Sequence, residues 1–279
     1  QMEDYFTRIE FQSRLSAHLH GLLWSSNAPE YGTNTNEEVV EFIDKYITCH
    51  IPTPEEDPEL HDLVTTLQLH RHSFSCKKLV YKKCQEKHDH GHSCIKQPEI
   101  KCRFHYPRPP MDMTCILEPL ESDDKKFVKE CKKNWERVHK KLIDIDKQVL
   151  GFSLDETMSF KDFLKSFQPP LTKQQYLEAI QSSIKQPTYF LKRTTAEIRT
   201  NQYNVSVLKA WRANIDVQFV MNAYACASYC TSYISKSQRG MSEILRNAVK
   251  EAQGMALSRS LIIQTSMSMF LVSFVTVSY

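Results

Sequence analysis

The stretch Arg8–Trp24, RIEFQSRLSAHLHGLLW, decides how this chain is read. Ile9 and Phe11 alternate with Glu10 and Gln12, a short turn at Arg14-Leu15-Ser16 follows, and Ala17 to Trp24 is apolar apart from its histidines. Apolar alternation on both sides of a short turn predicts a β-hairpin. Side chains two residues apart on a strand share a face, so His18 and His20 point the same way. With the turn centred on Leu15, Gln12 lies opposite His18 and Glu10 opposite His20, and all four share that face. Two neutral imidazoles and a carboxylate make a mixed nitrogen/oxygen donor set. Such a set suits Mg²⁺ or Mn²⁺ with positions open for phosphate oxygens. Glu10 is the first choice of charged ligand and Gln12 the second. The competing reading is a pair of polar residues packed in a strand, because His-x-His recurs at 70/72, 88/90 and 90/92.

Composition narrows the class. The 279 residues hold 36 Lys+Arg against 33 Asp+Glu, with 41% hydrophobic and 25% charged residues. These are values of an ordinary globular protein, which excludes collagen, coiled-coil and wholly disordered readings. The net charge of +3 does not by itself mark a nucleic-acid binder. The unusual counts are 11 His and 9 Cys. An odd number of cysteines among histidines and lysines, with no secretory signal, favours a reduced compartment and metal ligation over a disulfide framework. Residues 261–279 carry no charge but are diluted by Gln264, Thr265, Ser266, Ser268, Ser273, Thr276 and Ser278. A buried strand, or a tail unrelated to the rest of the fold, fits them better than a membrane span.

Residues 37–47, 59–70 and 123–150 have helical spacing, and 153–190 reads as two shorter helices broken at Pro169-Pro170. Residues 203–221 have strand character, followed by a helix over about 222–238 that Gly240 ends. Residues 70–110 break the pattern: they hold six His, four Cys and ten Lys/Arg against three acids. So little apolar material needs a metal or a partner to become ordered. His72-x3-Cys76 supplies one ligand pair for a structural zinc, and Cys102 with His105 (or Cys94) the other. Cys84, His88, His90 and His92 are alternatives, and a solvated basic loop is the competing reading. The excess of positive charge suits phosphate contact. Lys125, Lys126, Lys129, Lys132, Lys133, Arg137, Lys140 and Lys141 form a second basic patch, a pattern more often found on a solvated helix face.

In Tyr224–Lys236, YACASYCTSYISK, Tyr229 and Tyr233 stand one helical turn apart. They share a stripe with Asn222, Cys226 and Lys236, while Val220, Ala223, Ala227, Cys230 and Ile234 form a separate apolar stripe. A tyrosine hydroxyl beside a metal and a lysine can attack a phosphodiester. Tyrosines at this spacing also simply pack at a rim.

Three stretches together resemble the replication-initiator (Rep) domain of Helitron rolling-circle transposons, a branch of the HUH endonucleases. They are Glu10 to His20; Leu67-Gln-Leu-His70-Arg-His72-Ser-Phe-Ser-Cys76 with Cys102-Arg-Phe-His-Tyr-Pro107; and Asn214 to Gln218 with Tyr224 to Gly240. The resemblance spans roughly residues 5–255. It implies that His18, His20 and Glu10 hold the metal, that Tyr229 or Tyr233 attacks single-stranded DNA at transposon ends, and that Lys236 neutralises phosphate charge. The product would be a 5′-phosphotyrosine link and a free 3′-hydroxyl. It also implies a nuclear location and a downstream helicase domain in a full transposase. No Gly-x-x-x-x-Gly-Lys-Ser/Thr loop occurs here, so no helicase ATPase motif is present. Arg14 is followed by Leu15 where the family has Arg-Gly.

The expected architecture is α+β: an antiparallel sheet with flanking helices, HUH endonuclease-like, carrying a zinc-stabilised and helical insertion. Its expected parts are 1–69 with the metal-binding strand, 70–110 the basic zinc-binding insertion, 111–200 a mainly helical insertion, 201–256 the tyrosine-bearing part, and 257–279 a divergent tail. The chain reads as a fragment of a transposase. The alternative function is a non-catalytic DNA-binding relic or domesticated module.

Overall fold

The computed structural model describes residues 2–11, 17–80, 99–149, 158–234 and 269–275. It is α+β, with helices and small antiparallel sheets, and it divides into two compact units. The first comprises residues 1–48 and 202–279, the second residues 49–201.

The first unit is built on a four-stranded antiparallel sheet in the order β1-β2-β8-β7. β1 is Met2–Phe11, β2 Ala17–Ser25, β7 Asn214–Phe219 and β8 Met269–Val275. The hairpin pairs Glu10 with His18 and Arg8 with His20. This corrects the expected register by two residues. Side-chain faces repeat every two residues, so alternation cannot separate registers that differ by two. The observed one sets Ile9 against Leu19, where the expected one would set it against Gly21 and lose a cross-strand apolar pair. Gln12 falls in the 12–16 connection, outside the described residues.

β8 lies between β2 and β7 and pairs with both. The apolar residues near the C-terminus thus supply an inner strand of the sheet. Among the described residues no helix is long and apolar enough to cross a membrane.

Ile215, Val217 and Phe219 of β7 are buried, while Asn214, Asp216 and Gln218 alternate with them on the other face. Against Phe219 packs Phe42 of helix α1 (Asn36–Tyr46), ring centroids 6.1 Å apart. α1 starts where Thr35 and Glu38 form a capping box, and it buries Val39, Phe42 and Ile43. Residues 205–211, within the expected strand region, are instead helix α6 (Val205–Trp211). The Asn204 side chain caps the Val207 amide and also donates to Tyr46 O at 2.8 Å. Its cap overrides the β-branched preference of Val205 and Val207. α7 is Ala223–Ile234.

The second unit contains α2 (Pro58–Leu63), a π-helical turn Val64–Gln68, the ribbon of β3 (Lys77–Val80) and β4 (Glu99–Cys102), and the ribbon of β5 (Cys115–Leu117) and β6 (Thr188–Phe190). Its helices also include α3 (Lys125–Val149), α4 (Phe160–Lys165) and α5 (Lys173–Gln181). Val138 and Leu142 of α3, Phe163 and Leu164 of α4, and Tyr176 and Ile180 of α5 form one core cluster. Tyr176 reaches out of it to donate to Pro110 O at 2.8 Å.

Candidate metal centre

His70 and His72 leave the π-helical turn on extended backbone. The Leu69 bridge to Thr200 and the His70 N–H donating to Arg199 O at 2.9 Å fix that segment. A short 3₁₀ turn, Phe74–Cys76, then turns the Cys76 thiol back, and Cys76 N–H donates to Ser73 O. β3 and β4 bring Cys102 alongside, with Lys77 its cross-strand partner, and the Arg103 N–H donates to Cys76 O at 2.8 Å. Two ligand-bearing loops are thus stitched together through their backbones.

The ligand atoms of His70, His72, Cys76 and Cys102 all lie within 4.8 Å of one another, a set that could hold a metal ion. His72 Nδ1 is 3.5 Å from Cys76 Sγ, and His70 Nε2 is 3.4 Å from Cys102 Sγ. Tetrahedral zinc bonded to one nitrogen and one sulfur at ordinary lengths puts those atoms about 3.6 Å apart. These two distances and the donor chemistry suit a metal ion such as zinc.

The surroundings orient the ligands. His72 Nε2 lies 3.1 Å from Asp146 Oδ2, leaving Nδ1 for the metal side. Asp146, on α3, is buried and also accepts from Arg199 Nε, while Arg199 Nη2 donates to Asp146 O at 3.0 Å. A ligating imidazole whose other nitrogen donates to a carboxylate is the usual second layer of a metal site. His70 stacks on Tyr106 with centroids 4.4 Å apart and planes 9° from parallel. Burial, aided by His72 and Arg199, lowers the His70 pKa to about 4, so its ring is neutral at pH 7, as a ligand must be. Burial pushes the Cys102 thiol up.

Of the four expected zinc ligands, His72, Cys76 and Cys102 come together and His105 does not join them. His70 takes its place. His105 sits at left-handed φ 62°, its N–H donating to Cys102 O, and serves the turn. The sequence carried the correct signal in His70-x-His72, the same pattern weighed at 18/20. Cys84, His88, His90, His92 and Cys94 lie outside the described residues.

The other expected site is defined by strand register. Glu10 and Arg8 share a face with His18 and His20. Through Val275 and Ser273 of β8, Asn214 and Asp216 of β7 join the same two rows. Gln218 donates to Asp216 Oδ2 at 2.8 Å, and His20 is buried. Residues 8 and 10, 18 and 20, and 214 and 216 thus occupy two adjacent rows on one face of the sheet. Tyr229 and Tyr233 lie within α7, which begins four residues after β7 ends; Lys236 is outside the described residues. On α7, Cys226 is buried while Ala223 and Ala227 are exposed.

Comparisons with protein-family models, curated proteins and solved structures find no match to this chain.

Proposed function

We propose that this chain is a metal-dependent single-stranded DNA endonuclease and strand transferase of the rolling-circle type, working through a 5′-phosphotyrosine intermediate on an HUH-like fold. One observation carries the reading: His18 and His20 share a sheet face with Glu10, in the same sheet whose strand β7 leads into the tyrosine helix. Glu10, His18 and His20 would hold Mg²⁺ or Mn²⁺, which supplies positive charge to a scissile phosphate. Tyr229 or Tyr233 attacks the phosphorus through its hydroxyl oxygen. The Tyr–O–P bond forms, the bond from phosphorus to the 3′-oxygen breaks, and that oxygen takes up a proton as the tyrosine loses one. The second tyrosine serves a second cleavage or the joining step, and Lys236 offsets phosphate charge. In the second unit, His70, His72, Cys76 and Cys102 hold a structural Zn²⁺.

A second reading is a non-catalytic DNA-binding module derived from such an enzyme, acting in the nucleus beside a helicase partner. The two readings part on a cleavage assay with labelled single-stranded DNA and Mn²⁺. The nuclease reading expects nicking by the wild type and its loss in His18→Ala and His20→Ala variants that stay folded. Nicking that survives both substitutions would remove the histidine face from the chemistry.

A further inference from the structure

The metal-bearing loops present two phenylalanines to solvent. Phe74, in the turn between His72 and Cys76, is 94% exposed, and Phe104, two residues after Cys102, is 45% exposed. Exposing a large apolar ring so fully gives up burial that would stabilise the fold, so such rings point to a contact surface. Neither is on a loose tip. Phe74 belongs to the 3₁₀ turn that delivers Cys76, and Phe104 packs edge-on against the His70 ring at 5.8 Å. The backbone bond from Arg103 to Cys76 ties the two loops together.

Within the two ligand-bearing stretches themselves the charge has one sign; beside them Glu99 opens β4 and the buried Asp146 pairs with His72 and Arg199. Arg71, Lys77, Lys78, Lys101, Arg103 and Arg108 lie in residues 69–80 and 100–111, which contain no Asp or Glu. Lys78 stands directly opposite Lys101 across the β3–β4 ribbon. The Arg103 guanidinium lies 4.5 Å over the Phe104 ring, and that of Arg108 5.0 Å over Tyr106. Tyr106 is buried against His70, so the exposed rings of Phe74 and Phe104 beside these cations are what match a strand of stacked bases joined by phosphates. An acidic peptide would satisfy the cations but leave Phe74 and Phe104 without planar partners.

We infer that the metal-bearing loops of the second unit form a platform for single-stranded polynucleotide, with Phe74 and Phe104 stacking on bases and the surrounding lysines and arginines contacting phosphates. It rests on the metal centre proposed above and does not depend on the nuclease chemistry. Because both rings ride on ligand loops, metal occupancy controls the platform.

The test uses the full chain loaded with zinc and no other divalent cation, with fluorescein-labelled dT20 followed by anisotropy and zinc content measured on every sample. Phe74→Ala and Phe104→Ala should each weaken binding about 5- to 150-fold with zinc retained. Binding should fall with salt at a log–log slope of about 0.7 per phosphate contact. A labelled U20 arm bound as well as dT20 supports a platform that reads bases and phosphates alone. Tighter binding of a duplex of equal length would overturn the proposal. So would a double Phe74→Ala/Phe104→Ala protein that keeps its zinc and binds dT20 as the parent does. If Phe104→Ala loses zinc, the fully exposed Phe74 decides by itself. Absence of nicking by the folded wild type with Mn²⁺, with dT20 binding intact, counts against the nuclease reading alone, and phenylalanine variants without effect count against this one alone.

Discussion

His72 Nε2 sits 3.1 Å from Asp146 Oδ2, and the same carboxylate receives Arg199, whose backbone oxygen in turn accepts from His70. One buried ion pair thus orients one ligand's ring and fixes another ligand's backbone. It also joins the metal loops to helix α3.

Asp146→Asn should therefore weaken zinc binding about 10- to 100-fold, measured by competition against a chromogenic chelator. Asp146→Ala should in addition lower the unfolding midpoint, because it leaves Arg199 buried without its partner at a cost of about 3–5 kcal/mol. Unchanged zinc affinity in Asp146→Asn would mean that the carboxylate does not orient His72.

The ligand set separates two histidines that the sequence alone cannot rank. His70→Ala should lose the metal, whereas His105→Ala should retain about one equivalent of zinc per chain. Elemental analysis of the two purified variants reads the difference, and the reverse result would restore His105 to the site.

That choice shows where the sequence stops informing. The spacing of His72, Cys76 and Cys102 marked a metal site because thiolates and imidazoles so close together in a basic, core-poor segment have few other uses. Choosing between His70 and His105 needed the path of the backbone: a left-handed turn at His105 and the stacking of His70 on Tyr106. Likewise, the faces of His18 and His20 follow from the two-residue period, but the register does not. β8 joins the sheet from the far end of the chain, and that pairing leaves no local signal beyond an uncharged, partly polar run.

Removing residues 269–279 should consequently unravel the first unit, since β2 and β7 each lose a full paired neighbour. Limited proteolysis should then cut within residues 1–48 and 202–234 while the second unit survives. A truncated chain with parental protease resistance throughout would show that β8 is dispensable.

The core of the second unit should also give an alkaline limit to stability. Burial, with Asp112 adding, pushes the Cys115 thiol up to about 11 from its ordinary 9.0. Burial, then Cys115, pushes the Tyr176 hydroxyl well above its ordinary 10.0. Both groups are held protonated by the fold, so the unfolded chain releases protons first as pH rises. The contribution of Cys115 is whole below pH 9.0 and is lost as pH rises past about 11, and that of Tyr176 starts to fade only above its ordinary 10.0. Urea midpoints measured across that window should fall in the parent and fall less steeply in Cys115→Ala. Identical slopes would mean that the thiol does not contribute.

The most direct measurement is a search for the covalent intermediate. Zinc-loaded, folded protein is incubated with end-labelled single-stranded DNA and Mn²⁺, denatured, and digested for mass spectrometry of nucleotide-bearing peptides. The expected result is a 5′-phosphotyrosyl adduct on Tyr229 or Tyr233, lost when the tyrosine that carries it is replaced by phenylalanine. Absence of any adduct from folded wild type, or an adduct that persists in the Tyr229→Phe/Tyr233→Phe double variant, would contradict the proposed chemistry.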